Sequence, residues 1–227
     1  MACRSPRVNA PGRTWLFADG RTIFFRQQDA DTWLLLQNPN ASPATATVTF
    51  FSSEGVVQSH QLTLSPTSRQ SVLVEQFFRQ PAYGIRVEAT AEIIAERSVF
   101  VANPRTGDEP RGAYGTMGAP QPGTVWAFPE GSTAPPFSET IILLNPNEQP
   151  MAVHFDLMLP NGQIVTRDIV VEPLRRTEVS INGFVPDTAV SARVTTSLPS
   201  VAERVMLFTK PIGEHMGFHD AVGIRLQ

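Results

Sequence analysis

The chain repeats itself, and this repeat constrains its fold more than any other feature. Trp15, Phe17, Gly20 and Thr22 return 111 positions later as Trp126, Phe128, Gly131 and Thr133. From the next motif the spacing is 107: Asn38-Pro39-Asn40 returns as Asn145-Pro146-Asn147, Arg69 as Arg176, and Ala95-Glu96-Arg97 as Ala202-Glu203-Arg204. Self-similarity at this period means two copies of one compact unit of roughly 100 residues, a length that can bury its own core. The spacing predicts an N-terminal arm (1–13), a first unit (14–118), a Pro/Gly linker (119–123) and a second unit (124–227). Gly118 to Gly123 carries two prolines, so the linker reads as a semi-stiff hinge.

Each copy reads as β-structure. Residues 33–37 and 140–144 are apolar runs that stop at Asn-Pro-Asn, where proline cannot donate to a strand ladder. Residues 44–51 and 151–159 alternate with period two. Glu54-Gly55 and Asn161-Gly162 then mark hairpin turns, and residues 57–64 and 164–171 return as the paired strands. Further strands are expected at 70–74, 85–89 and 93–101, and at 178–181, 189–195 and 200–208. Residues 74–78 make at most one helical turn. Six or seven short strands per copy, punctuated by Pro, Gly and Asn, predict an all-β chain of two tandem immunoglobulin-like β-sandwich domains.

Composition excludes several function classes. A net charge of −3 with no basic run argues against nucleic-acid binding. Seventeen of the 18 cationic residues are arginine, the exception being Lys210. Cys3 is the single cysteine, so no intrachain disulfide forms, and no apolar run is long enough to span a membrane as a helix. Residues 1–13 do not read as a charged-then-apolar leader, which leaves open a cytosolic chain, a piece of a longer one, or a leader left off.

The motifs WLFADGRT, WLLLQNPN and IAER resemble a tandem repeat of large bacterial surface and secreted proteins, found in Chloroflexi and Actinobacteria. Its units open with W-x-F-A-E-G-x-T, pass through L-x-N-P and V-A-E-R, and close on a Gly/His-rich segment. The second copy carries the same marks in WAFPEGST, LLNP, VAER and FHDAVG. Asp19 stands where the pattern has Glu, Pro129 precedes Glu130, and the first closing segment has no histidine. The resemblance implies an extracellular β-sandwich unit without assigned activity.

The residues that could carry chemistry are few. Adjacent strand residues point to opposite faces, so Glu96 and Arg97 cannot serve one pocket, nor can Glu203 and Arg204. Their return in both copies suits structural ion pairs with Asp19 and Glu130. Glu214, His215, His219 and Asp220 are metal-ligand types, but no helix brings them to one face, and a surface loop is the better reading. His60 and His154 have no nucleophile beside them. No catalytic, cofactor or metal residue is therefore expected. Trp15, Trp33 and Trp126 are the candidate glycan or interface aromatics, with Trp15 and Trp126 better suited to a core. The leading expectation is a non-enzymatic structural or adhesive module of a bacterial surface assembly, its partners being neighbouring protein units. The alternative is a carbohydrate-binding module anchoring a partner to polysaccharide, which an exposed Trp33 favours.

Overall fold

The computed structural model describes residues 10–24, 28–101, 112–209 and 216–227, and these are nearly all strand. The first half holds β1 (Gly12–Arg21), β2 (Ile23–Phe24), β3 (Gln28–Asn38), β4 (Ala44–Ser52), β5 (Val57–Leu64), β6 (Ser68–Leu73), β7 (Ala82–Val101) and β8 (Gly112–Met117). The second holds β9 (Gly123–Phe128), β10 (Phe137–Asn145), β11 (Met151–Met158), β12 (Ile164–Val171), β13 (Arg175–Ser180), β14 (Ser191–Thr209), β15 (Met216–Val222) and β16 (Ile224–Arg225). Among the described residues the one helical element is a 3-10 turn, Val74–Gln76.

One long strand organises each half. The first part of β7 pairs with β1 and β4, and β5 adds to β4. Its second part pairs with β3 and β8, and β6 adds to β3. In the second half β14 does the same, first with β9 and β11 and then with β10 and β15. The sequence predicts two strands at each of these places; the structure has one continuous strand of 20 or 19 residues. The polar segments Thr90-Ala91-Glu92 and Thr196-Ser197-Leu198-Pro199 look like breaks, yet the chain stays extended there as it passes between sheets.

The two layers joined by β7 meet in a core. Trp15 and Phe17 of β1 and Val48 and Phe50 of β4 share it with Leu34 and Leu36 of β3 and Ile93 and Ala95 of β7. Burying each large apolar side chain stabilises the fold by roughly 1.5–3 kcal/mol. The open side is closed by the chain after β8: Leu16 and Ala119 exchange both backbone hydrogen bonds, at 2.9 and 2.8 Å. In the second half β16 closes on β9 at the same place, Ile224 opposite Ala127.

The Asn-Pro-Asn motif works identically in both copies. The Asn38 side-chain amide donates to the carbonyls of Ser42, Leu64 and Ser65, and that of Asn145 to Gln149, Val171 and Glu172. Asn40 and Asn147 accept, through their backbone carbonyls, the N–H groups of Thr67 and Leu174. Those two residues have φ of 48° and 53°, a left-handed conformation that the staple holds in place. Gly55 and Gly162, at φ of 86° and 84°, make the predicted hairpin turns.

Two expected boundaries move. Gly12 and Arg13 belong to β1 rather than to an arm, and residues 1–9 lie outside the described residues. Ala119 is buried against β1 and Gly123 begins β9, which leaves Pro120–Pro122 as the connection. Backbone pairing claimed both ends of the expected linker.

Candidate functional site

The most unusual chemistry of the chain lies between its halves. β1 carries one extra residue between Phe17 and Gly20 relative to β7, and this bulge holds Asp19 fully buried. Asp19 Oδ1 lies 2.9 Å from Arg21 Nε and 2.7 Å from Arg176 Nη2. Its Oδ2 lies 3.3 Å from Arg97 Nη1 and accepts a 2.7 Å bond from the Tyr114 hydroxyl. Burial alone would raise the Asp19 pKa, but Arg21, Arg176 and Arg97 hold it well below the usual carboxylate range.

The network continues into the second half. Arg97, a residue of β7 with no exposed surface, reaches Glu203 Oε2 of β14 at 2.9 Å and also binds Asp220 of β15. Glu203 Oε1 accepts the Ala18 backbone N–H at 2.7 Å, which ties β1 to β14 directly. Arg21 and Arg176 both hold Glu178, at 2.7 and 2.6 Å. Burial opposes ionisation of Glu178, yet Arg176 and Arg21 lower its pKa. The network therefore sets four carboxyl groups against three guanidiniums. Its surplus negative charge appears as protonation: burial, with Asp220 and Asp19 nearby, raises Glu203 to about 8 despite Arg97. Burial likewise raises Asp220.

Apolar packing surrounds these charges. Leu16, Ala18, Phe51, Val99 and Val101 of the first half are buried in one cluster with Ile142, Leu144 and Val205 of the second. A Cβ on Gly84 would stand 2.9 Å from the Leu144 side chain, so Leu144 packs directly on the backbone at a place only glycine leaves open. The halves therefore meet through this contact as well as through the connection.

The second copy carries the equivalent trio at its far end. Arg204 is buried and lies 3.3 Å from Glu130, whose side chain is 69% exposed. It also donates to His219 Nδ1 at 2.8 Å. His219 stands opposite Met206 as Tyr114 stands opposite Val99, so the trio Asp19–Arg97–Tyr114 corresponds to Glu130–Arg204–His219. Glu139, near Arg204, is pushed up to about 7 by burial that Arg204 only partly offsets.

The candidates from the sequence separate clearly. Trp15 and Trp126, 0% and 1% exposed, are core residues and not sugar platforms; their indole N–H groups donate to Ile93 and Gly123 carbonyls. Trp33 is half-buried on the outer face of β3. Glu96 is exposed and makes no ion pair among the described residues, although its counterpart Glu203 is buried. His219 and Asp220 are in β15 rather than a surface loop, because Arg204 and Arg97 draw them into the sheet; Glu214 and His215 lie outside the described residues. Among the described residues no three His, Cys, Asp or Glu side chains are placed to hold a metal ion. No helix of the described residues is long and apolar enough to cross a membrane.

Sequence reasoning missed Arg21, Tyr114, Arg176, Glu178 and Asp220 as members of the network. A signal was present: Glu178 and Asp220 sit where the first copy has Ser71 and Gly115, so charged residues differing between copies mark the contact.

Residues 95–206 match the family described as Family of unknown function (DUF5719). The match runs from the first Ala-Glu-Arg to just past the second, one repeat period that straddles the contact between halves. No curated protein sequence matches the chain. A crystal structure of Thermotoga maritima 1070 is similar at 13% identity and a TM-score of 0.43, over 46% of this chain and 95% of that one. The Anabaena sensory rhodopsin transducer is similar at 23% identity and a TM-score of 0.33, over 36% and 92%. At these scores neither assigns a fold family or an activity.

Proposed function

We infer that the chain is a non-enzymatic structural module, two tandem immunoglobulin-like sandwiches locked into one stiff unit. The buried network joining Asp19 and Arg97 to Arg176 and Glu203 carries this reading. A hinge for binding or catalysis would need the halves to move, whereas separating these charges would strand uncompensated ions in the interface. Each ion taken alone is costly to bury, so the network acts through geometry: it specifies one angle between copies. The likeness of the repeat to those of bacterial surface and secreted proteins supports a place outside the cell. A carbohydrate-binding role has less support, since two of the three tryptophans are sealed in cores.

Labelling of intact source cells with an antibody to the purified chain tests the location. Labelling without permeabilisation is expected; signal only after permeabilisation would overturn the reading. Small-angle scattering tests the stiffness, with a single profile expected across salt and temperature below unfolding. A profile that requires a broad range of angles between halves would refute it.

A further inference from the structure

The two copies differ in what covers one face. In the second half the outer face of β10, β13 and β14 carries Ile142, Leu144, Arg176 and Glu203, all buried by the end of the first half. The equivalent positions of the first half are Leu35, Gln37, Arg69 and Glu96, and nothing among the described residues buries them to that degree: Leu35 is half-buried, the other three exposed. Trp33 lies beside them on the same face. The complementary surface is equally unpaired. The end of the first half that docks includes Phe51 and Ala119, 1% and 3% exposed. Their counterparts at the far end of the second half are Met158 and Ile224, 37% and 38% exposed. Met158 rims a shallow concavity of about 400 Å³ that also takes in Glu130 and Ser191, the latter standing where the first copy has Gly84.

We propose that a second copy of this chain docks head to tail: the far end of its second half seats on the outer face of β3, β6 and β7, repeating between chains the contact made within one. Charge complementarity selects this occupant. Arg204 takes the place of Arg97 and meets Glu96 of the next copy as Arg97 meets Glu203. Glu130 takes the place of Asp19 and meets Arg69 as Asp19 meets Arg176. Ser71 and Gly115 replace the two further carboxylates, so the contact between chains has fewer ion pairs than the one within a chain and is weaker. Because the two surfaces differ, a pair of copies leaves one surface of each kind free, so copies add head to tail.

This inference rests on the structural-module reading; the association test reports on the interface alone, and cell labelling on that reading. Sedimentation velocity over a concentration series should show the chain growing into open oligomers, with a blue shift in the emission of Trp33, the one tryptophan on this face. Replacing Trp33→Phe should abolish the shift. Glu96→Arg, an exposed change that leaves the fold intact by circular dichroism, should weaken association by roughly tenfold or more, and high salt should weaken the wild type. Leu35→Arg blocks the receiving face and Ile224→Asp the presenting end, so each alone should remain monomeric. Mixed, they should form a heterodimer and stop there, because each retains one usable surface. A wild type that stays monomeric to millimolar concentration overturns the proposal. So does association unchanged by these substitutions, or a mixture that yields no dimer.

Discussion

Glu96 and Glu203 are the same residue of the repeat in two environments, and replacing each by glutamine isolates what burial does. Glu203 rises from an ordinary 4.5 to about 8 in the folded protein, burial being the main cause and Arg97 the main opposition. Between those values the folded state keeps a proton that the unfolded chain has lost. Stability from this group is therefore fully present below pH 4.5, declines as pH rises towards 8, and falls no further above it. Each pH unit within the window lowers the folding equilibrium constant by up to about tenfold, for a total of at most ~5 kcal/mol. Glu203→Gln cannot titrate, and its side-chain oxygen still accepts the Ala18 N–H. Its stability relative to wild type should rise steadily from pH 5 to 8 and then level off. Asp220, Asp19 and Arg97 face the same site in both proteins, and because Asp220 titrates together with Glu203 the difference reports on this carboxyl pair. Glu96→Gln, on an exposed side chain, should track wild type within about 0.5 kcal/mol throughout. Urea midpoints measured at half-unit intervals from pH 5 to 9 read this directly. Parallel curves for wild type and Glu203→Gln would refute the argument that the network carries a surplus carboxyl group held protonated by burial.

Asn38→Ala and Asn145→Ala each strand three buried or half-buried carbonyls and remove the side-chain oxygen that accepts the Asn40 or Asn147 backbone N–H. A loss of about 3 kcal/mol is expected from each in denaturant melts, with the two alike because their bonds are alike. Gly84→Val pushes a side chain into Leu144; it should cost about 1–3 kcal/mol and increase cleavage in the connection at Pro120–Pro122 under limited proteolysis. Gly162→Ala meets nothing within 4 Å and should cost only the strain of a positive φ, about 1 kcal/mol. Gly55→Ala at the equivalent turn adds a contact at 3.0 Å with the Arg175 guanidinium, so thermal unfolding should show it as the more damaging of the pair unless Arg175 swings away.

Much of the strand pattern was legible along the chain because strands and turns are local. Period-two alternation located β4 and β11, and the Glu54-Gly55 and Asn161-Gly162 turns placed β5 and β12 as their hairpin partners. The passage of β7 and β14 between sheets was not legible, since continuity there depends on partners brought from far along the sequence. Of the charges singled out from the Ala-Glu-Arg motif, Arg97 lies beside Asp19 and Arg204 beside Glu130, whereas Glu96 is exposed and makes no ion pair among the described residues. The reach of Arg97 to Glu203 and Asp220, more than 100 residues away, had no local signal.

Two copies of one repeat show where local information ends. Residue types, turn positions and the two-copy plan follow from the order of amino acids, because each rests on backbone preference and short-range periodicity. Whether Arg69 or Arg176, Glu96 or Glu203, loses its water does not. Burial belongs to whatever packs against a face, and the docking of one copy on the other decided which of two identical side chains would be sealed from solvent.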